Sequence, residues 1–170
     1  MGSTMTATRI DRGSTPTTTI YSEGGDLVFE RTFDARRERV WKAFTDPVIV
    51  PRWWGPHGTT TTVAEMDVRP GGKWRYVSSA ADREDVVFYG EYLSITPPEG
   101  FEWTFMFYVE GVGPQGGPES HRFEDVGGKT RVISVGHMGS PEILEGALAT
   151  GMVEGGMEAW DRLASVLADG

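Results

Sequence analysis

The side chains best suited to moving a proton near neutral pH are three histidines, at positions 57, 121 and 137. His121 shares strand parity with Phe123, and His137 shares it with Ile133 and Val135, so both are expected to point inward. An inward histidine is either a hydrogen-bonded core residue or a group that orients or protonates a ligand. The three positions make no His-x-x-x-His pair and the chain has no cysteine, so neither a metal site nor thiolate chemistry is expected. Glu65 and Asp67 would share one strand face, but Ala64, Met66 and Val68 make the opposite face apolar, which turns the carboxylates to solvent. Glu145 fits either a pocket carboxylate or a charge at the positive end of a helix. Gly71-Gly72-Lys73 lacks the helix that follows a phosphate-cradling loop, and Gly111 to Pro118 reads as a flexible loop at a cavity rim. No cofactor is implied.

The richer signal is aromatic. Ten rings lie between Trp74 and Tyr108, and from Phe101 to Val109 the odd positions are Phe, Trp, Phe, Phe and Val, so one face of that strand is built of large side chains. Trp74 and Tyr76 repeat the arrangement, with Phe88 and Tyr92 on the next strand. Opposite them a C-terminal helix carries the stripe Leu144, Leu148, Met152, Gly155, Gly156, Ala159, Leu163, Val166 and Leu167, with Trp160 beside it. The glycines at 146, 151, 155 and 156 each cost a helix about 1 kcal/mol against alanine. Either the helix backbone packs tightly on the sheet, or the missing side chains leave room for a guest. On the second reading an apolar cavity is lined by Trp74, Tyr76, Phe88, Tyr92, Trp103, Phe105 and Phe107 from the strands. His121 and His137 add polar groups, and Met152, Gly156 and Trp160 come from the helix.

The elements that would position these residues follow from turn signals. Residues 1–19 contain seven Thr and two Ser and almost no apolar group, which predicts a disordered arm. Within it, Met1-Gly2-Ser3-Thr4-Met5-Thr6 formally fits an N-myristoylation pattern, although Met5 as the natural start after a cloning scar is the preferred reading. From residue 20 to 170 one domain is expected. It begins as strand, turn and strand, and continues with a short helix over Arg36 to Thr45 capped by Asp34 and a second helical piece near Trp53 and Trp54. A meander of antiparallel strands runs from Thr59 to Met138. Ser140-Pro141-Glu142 starts a helix expected to continue to about Ala168. The economical packing is α+β, with a curved antiparallel sheet wrapped around the last helix.

Composition narrows the partners. The chain has 170 residues and a formal charge of -9, from 25 acidic against 16 basic residues, which repels nucleic-acid phosphates and anionic lipid. No run approaches the roughly 20 apolar residues of a membrane span. A soluble cytoplasmic protein with a hydrophobic small-molecule partner is expected, and no feature sets an oligomeric state.

Several short motifs carry a family resemblance: Phe33-Asp34-Ala35 through Val40-Trp41, Thr45-Asp46-Pro47, Arg52-Trp53-Trp54-Gly55-Pro56, and Met66-Asp67-Val68-Arg69-Pro70-Gly71-Gly72-Lys73-Trp74. Phe88-Tyr89-Gly90-Glu91-Tyr92, Phe123-Glu124-Asp125 and Gly151-Met152 through Trp160 agree. Over about residues 27 to 168 the chain resembles the SRPBCC, or START-like, superfamily, in the branch of homologues of the activator of the heat-shock chaperone ATPase. The resemblance implies a helix-grip domain with an apolar cavity. It also implies a choice among binding a polyketide-like or other secondary metabolite, a cyclase or aromatase activity, and co-regulation of a chaperone ATPase. Arg36 replaces the proline of the common Phe-Asp-Ala-Pro start, and the Gly111 to Pro118 stretch is an insertion.

Overall fold

The computed structural model describes residues 8–109, 111 and 113–169. Nine strands make one antiparallel sheet in the order β1-β2-β3-β9-β8-β7-β6-β5-β4. They are β1 (Arg9–Asp11), β2 (Thr19–Glu23), β3 (Asp26–Phe33), β4 (Thr60–Met66), β5 (Lys73–Ala80), β6 (Arg83–Thr96), β7 (Gly100–Val109), β8 (Gly113–Val126) and β9 (Lys129–His137). Chain neighbours pair except at β3. There the chain leaves through helix α1 (Arg37–Thr45) and a 3-10 turn (Val50–Arg52), reaches the far edge at β4, and meanders back until β9 lies beside β3. The expected α+β helix-grip architecture is therefore present.

Local chemistry explains most of these elements. At the β8–β9 hairpin Gly127 and Gly128 take φ of +63° and +89°, the two positive values that a tight type I′ turn requires. In β5 the residues Trp74, Tyr76 and Ser78 are buried while Lys73 and Arg75 are exposed, as period-two alternation demands. Register shifts at Val63/Glu65, Ser78/Ala80 and Tyr92/Ser94 add twist and curl the β4–β7 half of the sheet. Helix α1 buries Val40, Ala43 and Phe44, and its N-cap is Arg36 with no side-chain bond, so Asp34 does not cap it. Among the described residues no helix is long and apolar enough to cross a membrane.

The chain's two ends differ from expectation. Residues 1–7 of the expected arm lie outside the described residues. Residues 8–18 pack on the sheet: β1 pairs with β2, Thr18 is buried, and Arg12 binds Ser22 Oγ at 2.8 Å and Glu145 Oε1 at 2.6 Å. Hydrogen bonds rather than apolar burial hold this segment, which an argument from hydrophobicity misses. Glu145 is thus an exposed partner of Arg12 and does not enter a pocket.

At the other end the single expected helix is two, α2 (Pro141–Leu148) and α3 (Met152–Ala168). The start is as read from the sequence, with Ser140 Oγ accepting from the Ile143 N–H and Pro141 following the cap. The break occurs because Thr150 Oγ1 bonds back to the Ala147 carbonyl at 2.6 Å and Gly151 turns left-handed at φ +82°. The four glycines therefore do different jobs. Gly156 lets the Phe29 ring approach to 3.1 Å of where a Cβ would stand, whereas a methyl at Gly146 or Gly155 would meet nothing. Gly151→Ala should destabilise the fold by about 1–2 kcal/mol, because alanine resists the left-handed region. By contrast Gly146→Ala and Gly155→Ala should each stabilise it by about 0.5–1 kcal/mol. Thermal melts of the three variants check both signs, and a Gly155→Ala protein less stable than the parent would contradict the open space beside that helix.

Candidate functional site

The aromatic strand faces do point inward, but onto one another. Trp74 stacks on Trp103 with centroids 4.0 Å apart and planes at 17°, and both are fully buried. Trp54, which follows the 3-10 turn, lies across them. Its centroid is 4.9 Å from Tyr76, 5.6 Å from Phe88 and 6.0 to 6.1 Å from Trp74, Trp103 and Phe105. Phe44 and Trp53 pack at 4.9 Å beside this group, with Trp53 Nε1 donating to the Ala43 carbonyl. The enclosed chamber expected between rings and helix is thus occupied by the chain's own crossing segment.

Tyr76 and Tyr92 belong to this packed group. Neither hydroxyl has a hydrogen-bond partner among the described residues. Burial pushes the Tyr76 hydroxyl well above the usual phenol value, with Tyr92 adding to the rise, and lifts that of Tyr92 to about 12, against an opposing effect of Tyr76 and with a smaller contribution from Asp67. Both therefore stay protonated and apolar in character near neutral pH. Gly156 and Trp160 face the other way: Trp160 packs edge-on against Phe29 at 5.7 Å and Phe33 at 5.6 Å.

A groove remains where the β7–β9 end of the sheet meets the α2–α3 break. It holds about 50 Å³, with Phe105 and Phe107 on one wall, Ile143, Ala147 and Met152 on the other, and Gly116, Gly117 and Gly136 along the strands between. One ordered water takes about 10–15 Å³, so the groove as it stands suits a few waters or a small apolar fragment. Of the stretch Gly111 to Pro118, expected as a flexible rim loop, residue 112 lies outside the described residues and Gly113 to Pro118 form strand, with Gln115 to Pro118 along this groove, Phe105 opposite Gly117 and Met106 opposite Gly116. A Cβ at Gly116 would collide with the Phe105 carbonyl, so glycine allows the close pairing there.

A polar row closes the groove toward the core. His121 Nδ1 is 2.6 Å from Ser134 Oγ, its cross-strand partner, and His121 Nε2 is 2.7 Å from Glu119 Oε1. The second contact has ion-pair distance without hydrogen-bond alignment. Trp103 Nε1 donates to the same Glu119 oxygen at 2.9 Å. His121 is 8% exposed and lies among Phe44, Phe101 and Trp103, so its inward reading holds. His137 is different. The inward positions of β9 are Thr130, Val132, Ser134 and Gly136, which places the His137 ring outside, 2.9 Å from Asp26 Oδ1. Of the twelve expected lining residues, the groove gathers Phe105, Phe107, Met152 and the edge of His137, while Phe88 stands behind Phe105 at 5.7 Å. Glu119 and Ser134 were missed, although Glu119 has the same parity as His121 and Phe123. Among the described residues no group of three or more His, Cys, Asp or Glu is placed to hold a metal.

Comparison with solved structures supports the architecture. Protein Ms6760 from Mycobacterium smegmatis is 28% identical with a TM-score of 0.80, covering 89% of this chain and 97% of that one. A protein from Arthrobacter aurescens, at 24% identity, also gives 0.80 over 89% and 92% of the two chains. An AHSA1 protein from Silicibacter pomeroyi, at 22% identity, gives 0.68 over 84% and 97%. Comparison with curated proteins finds no significant match. The fold is compatible with hydrophobic ligand binding. A family model described as activator of Hsp90 ATPase homolog 1-like protein matches residues 34–168, which span both α1 and the strands and helix around the groove, and the chain belongs to that family.

Proposed function

We propose that the domain binds a small hydrophobic or aromatic molecule, of polyketide or related secondary-metabolite type, in the groove between β7–β9 and the α2–α3 break. A cytoplasmic role as a biosynthetic accessory or self-resistance protein follows from that reading. The observation that carries it is the half-buried apolar wall: Phe105, Phe107 and Met152 line one groove, with the closely paired backbone of Gly116, Gly117 and Gly136 along its strand side. Such concave, mostly apolar surfaces with one polar edge are the common form of small-molecule sites. A guest larger than the 50 Å³ now free enters by displacement of α2, which joins α3 through left-handed Gly151 and is tied to β1 and β2 by the exposed Arg12–Glu145 pair. A panel of planar aromatic compounds should include members that raise the melting temperature by several degrees, since ligand at 100 times its Kd adds about 2.7 kcal/mol. The same members should quench tryptophan emission. A broad panel without either effect would remove the proposal.

A further inference from the structure

The polar row at the groove wall has a preorganised acceptor that the packing leaves unused. His121 Nε2 stands 2.7 Å from Glu119 Oε1, at ion-pair distance but out of hydrogen-bond alignment. Ser134 Oγ at Nδ1 fixes the ring from its other side. Glu119 Oε1 therefore accepts from the Trp103 N–H and is flanked by the His121 ring, on two different strands. Its other oxygen, Oε2, has no hydrogen bond among the described residues. It lies 3.8 Å from where a side chain on Gly136 would begin, and among the described residues the only side chain nearer that point is the flexible end of Met138, at 3.2 Å. The carboxylate is 20% exposed, and Glu119 lines the groove beside Phe105 and Phe107.

We propose that Glu119 Oε2 is the polar anchor of this groove, accepting a hydrogen bond from a hydroxyl or ammonium group on a ligand whose apolar body lies on Phe105, Phe107 and Met152. This deepens the ligand-binding reading and rests on it. A carboxylate already held by one N–H and packed beside a fixed ring loses little conformational freedom on binding. His121 and Ser134 are positioning residues: they hold Glu119 and do not touch the ligand.

The test compares benzylamine, phenol and toluene, single rings that exceed the 50 Å³ now free and so require the same displacement of α2, by titration calorimetry on the parent protein and on Glu119→Gln. A Gln that keeps its oxygen toward Trp103 presents an N–H₂ to the groove, exchanging acceptor for donor. The parent should bind benzylamine or phenol about tenfold more tightly than toluene, which is ~1.4 kcal/mol and within the range of a hydrogen bond to a charged group. Glu119→Gln should abolish the preference for benzylamine while toluene affinity stays within about twofold. A preference for one donor only assigns the anchor to the ammonium or to the hydroxyl class. An undiminished preference for benzylamine in Glu119→Gln overturns the assignment, with the groove still standing as an apolar site. Failure of all three rings, toluene included, to bind the parent removes the ligand-binding reading itself. If Glu119→Gln does not fold, Glu119→Asp withdraws the carboxylate by one methylene, keeps its charge, and should show the same loss.

Discussion

Trp103→Ala should destabilise the protein by about 3–5 kcal/mol, the usual cost of removing a fully buried tryptophan. The ring is 1% exposed and stacked on Trp74, and it also contacts Trp54, Tyr92, Phe101 and His121. Its indole N–H donates to Glu119, so the alanine also leaves a half-buried carboxylate with less compensation. For a chain of this length each kcal/mol lowers the melting temperature by about 2–4 °C, which predicts a fall of about 6–20 °C. Trp103→Phe separates the two contributions. It keeps most of the apolar contact and loses the N–H, and should cost about 1–2 kcal/mol. A thermal melt of Trp103→Ala within about 2 °C of the parent would show that the stacked pair is not a keystone of the core.

The architecture was legible because it is written in local signals. Alternation from Phe101 to Phe107 needs only the two-residue period, the Gly127-Gly128 turn needs only positive φ, and Ser140-Pro141 needs only a cap. The errors fall where the deciding partner is distant in the chain. Gly113 to Pro118 has no apolar pattern of its own and becomes strand because β7 offers it a ladder, with Gly116 fitted to the Phe105 carbonyl. The phase of β9 was misread because its inner face holds Thr130, Ser134 and Gly136, small or hydroxylated residues, while Ile133 and Val135 lie on the outer face half-buried. Thr130 is inside because its hydroxyl donates to the Ala35 carbonyl at 2.7 Å, and Ser134 because it holds His121. A polarity count places such residues outside.

The candidate site was legible to the same degree and failed for the same reason. Aromatic side chains facing inward are visible one strand at a time, and Phe105, Phe107 and Met152 do meet at the groove. Whether other rings meet them is a tertiary matter. Trp54 reaches Trp74 and Trp103 because the chain crosses from β3 to β4, and no spacing within 50–60 states what it will cover. Glu119 was passed over because a carboxylate two residues from a histidine on a strand is ordinary; its meaning comes from Trp103 on the neighbouring strand.

Trp54→Ala follows from that last point, and it should restore the chamber that the fold can enclose. The side chain touches six rings: Trp53, Trp74, Tyr76, Phe88, Trp103 and Phe105. Its backbone is held independently, since its carbonyl accepts from Thr61 Oγ1 at 2.8 Å and from Arg162 Nη1 at 3.2 Å, and neither bond depends on the indole. Removal should therefore leave the loop in place and an apolar gap behind where the half-buried indole stood, at a cost of about 3 kcal/mol. Apolar voids of roughly 150 Å³ stay empty of water and take up benzene-sized molecules. Indole or benzene near saturation should then recover about 2–3 kcal/mol of the variant's stability while adding less to the parent, because only the variant offers the extra space. Melting temperatures with and without each compound, for both proteins, measure the difference. If the variant gains no more than the parent, Trp103 or Phe105 has collapsed into the gap. The packed rings would then be a self-sufficient core, with Trp54 no plug, and ligand chemistry would be confined to the groove beside Glu119.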